Sequence, residues 1–108
     1  MSKATYWQRG ESLDYTNNGT AVIEANTIIS LGTRIGVAGT DINPGEKGSV
    51  HVTGVWEIAK TGTAAIELGA AVYFDGTGIT NDDSKTPVGY AVAAAGADDA
   101  VILVKLQG

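Results

Sequence analysis

The chain contains no cysteine, which excludes disulfide cross-links, thiolate nucleophiles and cysteine-based zinc sites. Its single histidine, His51, is too few for a histidine-rich metal site. Proline is scarce, with two residues against fifteen glycines, so tight turns are expected in place of a Pro-rich linker. Positive charge is also short: seven Lys and Arg stand against twelve Asp and Glu, a formal net charge of −5. Binding to nucleic acid rests largely on neutralising phosphates, and this balance argues against it. No uninterrupted apolar run approaches the roughly 18 residues of a membrane span. The opening "MSKATYWQRGES" has no apolar stretch to serve as a signal-peptide core. The expectation is a soluble protein made in a cytosol, with neither nucleic acid nor membrane as partner.

What is present points to a small β protein. The 108 residues are 44% apolar and 18% charged, the size and balance of one globular core. Glycine-marked turns separate β-branched and aromatic stretches at intervals of about eight to twelve residues, a spacing typical of sandwiches and barrels. The fold expected is all-β: a single small β-barrel or sandwich, β-tulip-like, with short hairpins and little or no helix. "LDYTNNGTAVI" reads as a strand turning back through Asn18 and Gly19, a pair that accepts positive φ. "TIISLGTRIGVAG" gives two short strands around Gly32, and "GAAVYFDGTGIT" a strand, a turn at residues 75–78 and a second strand. "TPVGYAVAAAG" and "AVILVKLQG" close the chain as a hairpin around Asp98 and Asp99. "AKTGTAAIELGAA" is the best helical candidate, and its glycines and threonines limit it to one turn. Residues 1–10 fall outside the strand pattern and read as an N-terminal arm, with 11–108 as the domain.

The stretch "INPGEKGSVHVTGVWEI" at 42–58 superficially resembles a phosphate-binding loop. Such a loop needs Gly-x-x-x-x-Gly-Lys-Ser/Thr leading into a helix. Here Glu46 follows Gly45, Lys47 precedes Gly48, and no Gly-Lys pair occurs in the chain. The second half alternates instead like a strand, with Val50, Val52, Gly54, Trp56 and Ile58 on one face and Ser49, His51, Thr53 and Glu57 on the other. Val55 alone breaks the alternation, and Trp56 reads as a core anchor. His51 has no nucleophile assigned to it by the sequence, so no triad can be drawn. The acidic pairs at 82–83 and 98–99 read as solvated turn residues. "DGTGITNDDS" places Thr77 and Ile79 where a calcium loop would want oxygen ligands of the Asp or Asn type. No catalytic, metal or cofactor site is assigned.

Surplus apolar surface remains. In "AVILVKL", Ala100, Ile102, Val104 and Leu106 point one way, and Val101 and Leu103 the other. A strand apolar on both faces is central in a larger packing or contributes to a contact. Val88, Tyr90 and Val92 share one face of their strand, with small residues opposite. Self-association would add core to a domain this short. The arm carries Lys3, Tyr6, Trp7 and Arg9, aromatic groups among cations, as in a segment that orders on a partner.

The order of motifs then becomes informative. "GESLDYTNNG", "IISLGTRIGVAGTDINPGEKGSVHVTGVWEIAK", "LGAAVYFDGTGIT" and "PVGYAVAAAGADDAVILVKLQG" together resemble a family of small tailed-phage proteins understood as capsid cement or head decoration proteins. Long catalogued as a domain of unknown function, its members often carry the name of a RecA/RadA-type recombinase. That name conflicts with the residues, since the chain lacks both the P-loop and the length of such an ATPase. The likeness covers about residues 9–108. Family members often have proline where this chain has Ala59, before Lys60, so the strand is expected to run slightly further here.

The resemblance implies a structural virion protein, made in the host bacterial cytoplasm, that binds the major capsid protein on the outside of the expanded head. It further implies a homotrimer at local three-fold positions and no enzymatic activity. The expected capsid or subunit contacts are Lys3, Tyr6, Trp7, Arg9, Val101 and Leu103. Two other readings remain open: a carbohydrate- or cell-surface-binding module stacking ligand on Trp7, Trp56 and Tyr73, and a small connector or accessory subunit.

Overall fold

A computed structural model describes residues 2–6 and 10–107. Nine strands follow one another: β1 (Ser12–Thr16), β2 (Ile28–Ser30), β3 (Ile35–Ala38), β4 (Lys47–His51), β5 (Gly54–Ala59), β6 (Ala71–Phe74), β7 (Ile79–Thr80), β8 (Thr86–Ala91) and β9 (Val101–Leu106). The described residues contain no helix, so "AKTGTAAIELGAA" forms connections and bridges instead of a helical turn. Two antiparallel sheets result, one of four strands in the order β1-β4-β3-β2, the other of five in the order β5-β9-β8-β6-β7. There is no closed barrel, and the all-β expectation is met as a sandwich.

The stretch read as one strand over 49–58 is two strands in two sheets. Gly54 has φ 105°, a backbone that a residue with Cβ rarely adopts, and there the chain leaves the first sheet and enters the second. The apolar residues expected on one continuous face therefore serve two cores. Val50 and Val52 pack with Ile29 and Ala38, whereas Ile58 joins Ile35, Val37, Val72, Val104 and Leu106 between the sheets, with Trp56 half-buried against them. The strand does run through Ala59, and the amide of Lys60 still donates to the Ala100 carbonyl at 2.9 Å.

The hairpin expected at Asn18 and Gly19 does not form, because β1 pairs with β4 (Leu13 opposite Val50). Asn17, 2% exposed, organises the turn instead. Its Nδ2 donates to the carbonyls of Ala21 and Ile42 at 2.8 and 2.9 Å, and its Oδ1 accepts from the Gly19 amide at 2.9 Å. Short polar side chains favour such turns because they satisfy backbone groups locally. This holds the segment after β1 against the loop after β3, where Ile23 and Ile42 form an isolated bridge.

The hairpin of β2 and β3 around Gly32 (φ 93°) forms as the sequence indicates, and so does the pairing of β8 with β9. Alternation along β8, however, is interrupted. Val72 lies opposite Gly89 and Tyr73 opposite Pro87, leaving Val88 as the extra residue of a bulge. Val88 and Ala91, on opposite faces by strict alternation, are both buried. A Cβ on Gly89 would lie 1.9 Å from the Lys105 carbonyl oxygen, so only glycine permits this approach of β8 to β9.

The two ends of the five-stranded sheet meet at one point. Ile79 of β7 forms a parallel bridge with Lys60, and Thr61 donates its amide to the Ile79 carbonyl at 2.8 Å. The sheet is thus curled around its core at that end.

Candidate interaction surface

The outer face of the five-stranded sheet follows from register. Directly opposed residues of antiparallel neighbours project to the same side, so Val55 opposite Lys105, Glu57 opposite Leu103 and Ala59 opposite Val101 define one face of β5 and β9. Tyr90, opposite Lys105, extends it across β8. Their neighbours Ile58, Ile102, Val104 and Leu106 fill the core, which forces this set outward. Val55 is 56% exposed, Val101 46% and Leu103 41%, an apolar strip with Glu57 and Lys105 among it.

Of the contact residues expected from sequence, the structure brings Val101 and Leu103 together on this strip. Lys3 and Tyr6 stand exposed in a stretch without secondary structure, Tyr6 at 81%. Trp7 and Arg9 lie outside the described residues. Val55 was missed as a contact candidate: register with β9 alone places it there, although its break in the alternation was the visible signal. Of the aromatic residues of the carbohydrate reading, Trp56 and Tyr73 do not share a face. Trp56 turns inward, donates Nε1 to the Thr53 carbonyl at 3.0 Å and lies 5.5 Å from the His51 ring, while Tyr73 alternates with the buried Val72 and so projects from the other side of the sheet.

Three loop carboxylates, Asp75, Asp82 and Asp99, accept hydrogen bonds within their own turns. Asp75 Oδ1 accepts from the amides of Thr77 and Gly78 and from the Thr77 hydroxyl, each at 2.9 Å, and its Oδ2 accepts from the Thr61 hydroxyl at 2.6 Å. These donors, the Thr61 hydroxyl foremost, hold its carboxyl far below the usual carboxylate range. The carboxylate thereby ties the β6–β7 turn to the end of β5, where the curled sheet meets itself. Between β7 and β8, Asp82 is shifted downward mainly by the hydroxyl and amide of Ser84, and between β8 and β9, Asp99 accepts from the Gly96 amide at 2.7 Å. Among the described residues no group of three His, Cys, Asp or Glu is placed to hold a metal ion.

One juxtaposition escaped the sequence reading. Ser12 and His51, 39 residues apart, are cross-strand partners, with Ser12 Oγ and His51 Nδ1 at 3.1 Å. The pairing of β1 with β4 creates this contact. A triad further requires a group orienting the second ring nitrogen, and His51 Nε2 faces Gly39, where an added Cβ would lie 2.8 Å from it. The "GEKGS" segment is a turn with Gly45 at φ 81°, leading directly into β4.

Comparison with known proteins gives a match to the family model described as "Phage cement protein", over residues 7–106. No curated protein and no solved structure matches the chain.

Proposed function

This chain belongs to the phage cement protein family, and from that premise we propose how its fold performs the task. It is a structural phage protein that stabilises the capsid, located on the capsid exterior and bound to the major capsid protein. In our reading it has no enzymatic role, and residues 11–108 form a rigid body bearing an N-terminal arm, residues 1–10.

The exposed strip of Val55, Val101 and Leu103 carries the reading. Three aliphatic side chains on a hydrogen-bonded sheet face offer apolar area that costs little to order, and burial removes it from water at about 25 cal/mol per Å². The body docks through this face, and the protein acts as a homotrimer across seams between capsid subunits. Lys3, Tyr6, Trp7 and Arg9 of the arm add capsid or subunit contacts. A standard interface buries about 1,600 Å² in total. By mass action, a protein that binds the expanded lattice in preference to the unexpanded one stabilises the expanded form against disassembly. The net charge of −5 suits the exterior, since packed DNA inside the head would repel it.

The test is co-sedimentation with expanded, undecorated heads and with unexpanded proheads. Saturable binding to expanded heads, abolished by Leu103→Glu in a chain that keeps its far-ultraviolet spectrum, is the expected result. Equal binding of the variant would remove this face from the mechanism, and absence of binding to either particle would overturn the reading.

A further inference from the structure

Asparagine side chains carry a latent reaction with their own backbone. The nitrogen of the next residue attacks the side-chain carbonyl carbon and closes a cyclic imide, most readily where that residue is glycine, because no Cβ shields the nitrogen. Among the asparagines at 17, 18, 26, 43 and 81, Asn18 alone precedes glycine. Asn43 precedes proline, whose nitrogen has no proton to give up, and Asn17, Asn26 and Asn81 precede residues with side chains. The same closure threatens an Asp-Gly pair, of which the chain has one, Asp75 with Gly76.

The fold treats the two pairs differently. The oxygens of Asp75 accept from the Thr61 and Thr77 hydroxyls and from the amides of Thr77 and Gly78. These donors keep it as the anion, and a carboxylate is a poor electrophile. The Asn18 side chain is exposed and makes no hydrogen bond to the described residues, so its carbonyl carbon is free to turn towards the Gly19 nitrogen. The restraint lies on that nitrogen instead. The Gly19 amide donates to Asn17 Oδ1 at 2.9 Å, and Asn17, 2% exposed, is anchored through Nδ2 to the Ala21 and Ile42 carbonyls. Before it can attack, the nitrogen must leave this fixed acceptor and lose its proton. Loss of one hydrogen bond of ordinary strength corresponds to about fivefold in rate.

We propose that Asn18 is a site of spontaneous deamidation and that Asn17 sets its rate. The Gly19 nitrogen bonds to Asn18 Cγ, the Cγ–Nδ2 bond breaks, and the Gly19 amide proton leaves with the side-chain NH2 as ammonia. Water then opens the imide at either carbonyl, giving an aspartyl residue at position 18 or its isoaspartyl form, in which the backbone runs through the side chain. Neither step oxidises or reduces anything, and water is the only co-reactant. Each product adds a negative charge to an exposed turn of an already acidic chain, and the isoaspartyl form moves the Gly19 amide away from Asn17. That loosens the segment which Asn17 and the Ile23–Ile42 bridge hold against the loop after β3. A chain that persists on a head ages first at this turn.

The experiment incubates the full chain at mildly alkaline pH and follows the products by peptide mapping with mass spectrometry and by the ammonia released. The native chain is compared with Asn17→Ala, Asn17→Asp and Gly19→Ala, and with itself unfolded in guanidinium chloride. The folded native chain should be modified first at Asn18, more slowly than the unfolded one, with Asp75 altered only on unfolding. Asn17→Ala should accelerate the reaction about fivefold. Asn17→Asp keeps the acceptor oxygen and should stay at or below the native rate, although it is the less stable variant; a role through stability alone would place it above the alanine. Gly19→Ala, whose Cβ would lie 3.3 Å from Asn17 Oδ1, should be slowest. First modification at another residue, or an Asn18 left intact in the folded native and Asn17→Ala chains while the unfolded chain is converted, would overturn the site. Equal rates in the native and alanine chains, or an Asn17→Asp chain faster than Asn17→Ala, would overturn the role of Asn17. A native chain that reacts as fast folded as unfolded would do so without any variant.

Discussion

Replacing Val55, Val101 and Leu103 together by threonine should weaken binding to expanded heads about a hundredfold per protomer, with little change in folding stability. The magnitude follows from exposure. Full burial of a Val or Leu side chain contributes roughly 1.5–3 kcal/mol. In the free chain these three are 56%, 46% and 41% exposed, so about half of that gain, roughly 1 kcal/mol each, remains to be realised on docking. The sum, about 3 kcal/mol, corresponds to roughly two decades in the dissociation constant. Threonine is suited to the test because it keeps a β-branched side chain in an exposed strand, while its hydroxyl must be desolvated in an apolar contact. Co-sedimentation with heads over a range of protein concentrations measures the affinity, and a urea titration of the free variant measures stability. Native affinity in the triple variant would refute the assignment of this face. A fall in affinity accompanied by a large drop in the urea midpoint would mean that the side chains support the fold, which contradicts their outward register.

Asn17→Ala removes three hydrogen bonds from a buried side chain; at about 1 kcal/mol each, with the exposed Gly19 amide regaining water, the loss should be about 2 kcal/mol by urea titration. Asn17→Asp should be worse than the alanine at neutral pH, since it turns a carboxylate towards the Ala21 and Ile42 carbonyls. Gly89→Ala should cost about 3 kcal/mol or prevent folding, because its Cβ would meet the Lys105 carbonyl at 1.9 Å. Asp75 has its folded-state pKa depressed below the ordinary 3.8. Its contribution is therefore present above that value and lost as pH falls below it. Asp75→Asn should destabilise the chain at pH 7, and its difference from the native chain should shrink as the solution is acidified towards pH 2, as read from urea midpoints along the pH series.

The fold class was legible because alternation and glycine spacing are local signals, and most strands lie where those signals put them. What failed did so where the backbone departs from a straight strand. Gly54 sits in an apparent five-step alternation ending at Ile58, so the sequence alone reads as continuous; the discordant Val55 was the trace of the switch between sheets, since it faces outward in the second sheet. Val88 and Gly89 conceal a bulge in the same way, because one extra residue shifts the phase of everything beyond it. At Asn17–Asn18–Gly19 the turn residues were recognised but given the wrong geometry, for the partner of β1 is β4, more than thirty residues further on by the pairing of Ser12 with His51. Long-range pairing likewise creates the Ser12–His51 contact and the joining of Val55 to Val101 and Leu103, whereas the outward turn of Val101 and Leu103 was readable from β9 alone.

The two proposed contact regions differ in what ordering them costs, and this assigns them different tasks. β9 lies between β5 and β8, so its backbone is fixed before any partner arrives, and docking its outer face orders little beyond side chains. The arm starts without secondary structure, and fixing each backbone residue costs roughly 1–2 kcal/mol. Five arm residues therefore offset much of what their contacts contribute, and exposed Lys3 and Tyr6 touching a flat surface would yield little net affinity. In the proposed reading the sheet face therefore supplies the affinity for the capsid, and the arm adds to it only where its contacts exceed the cost of ordering it.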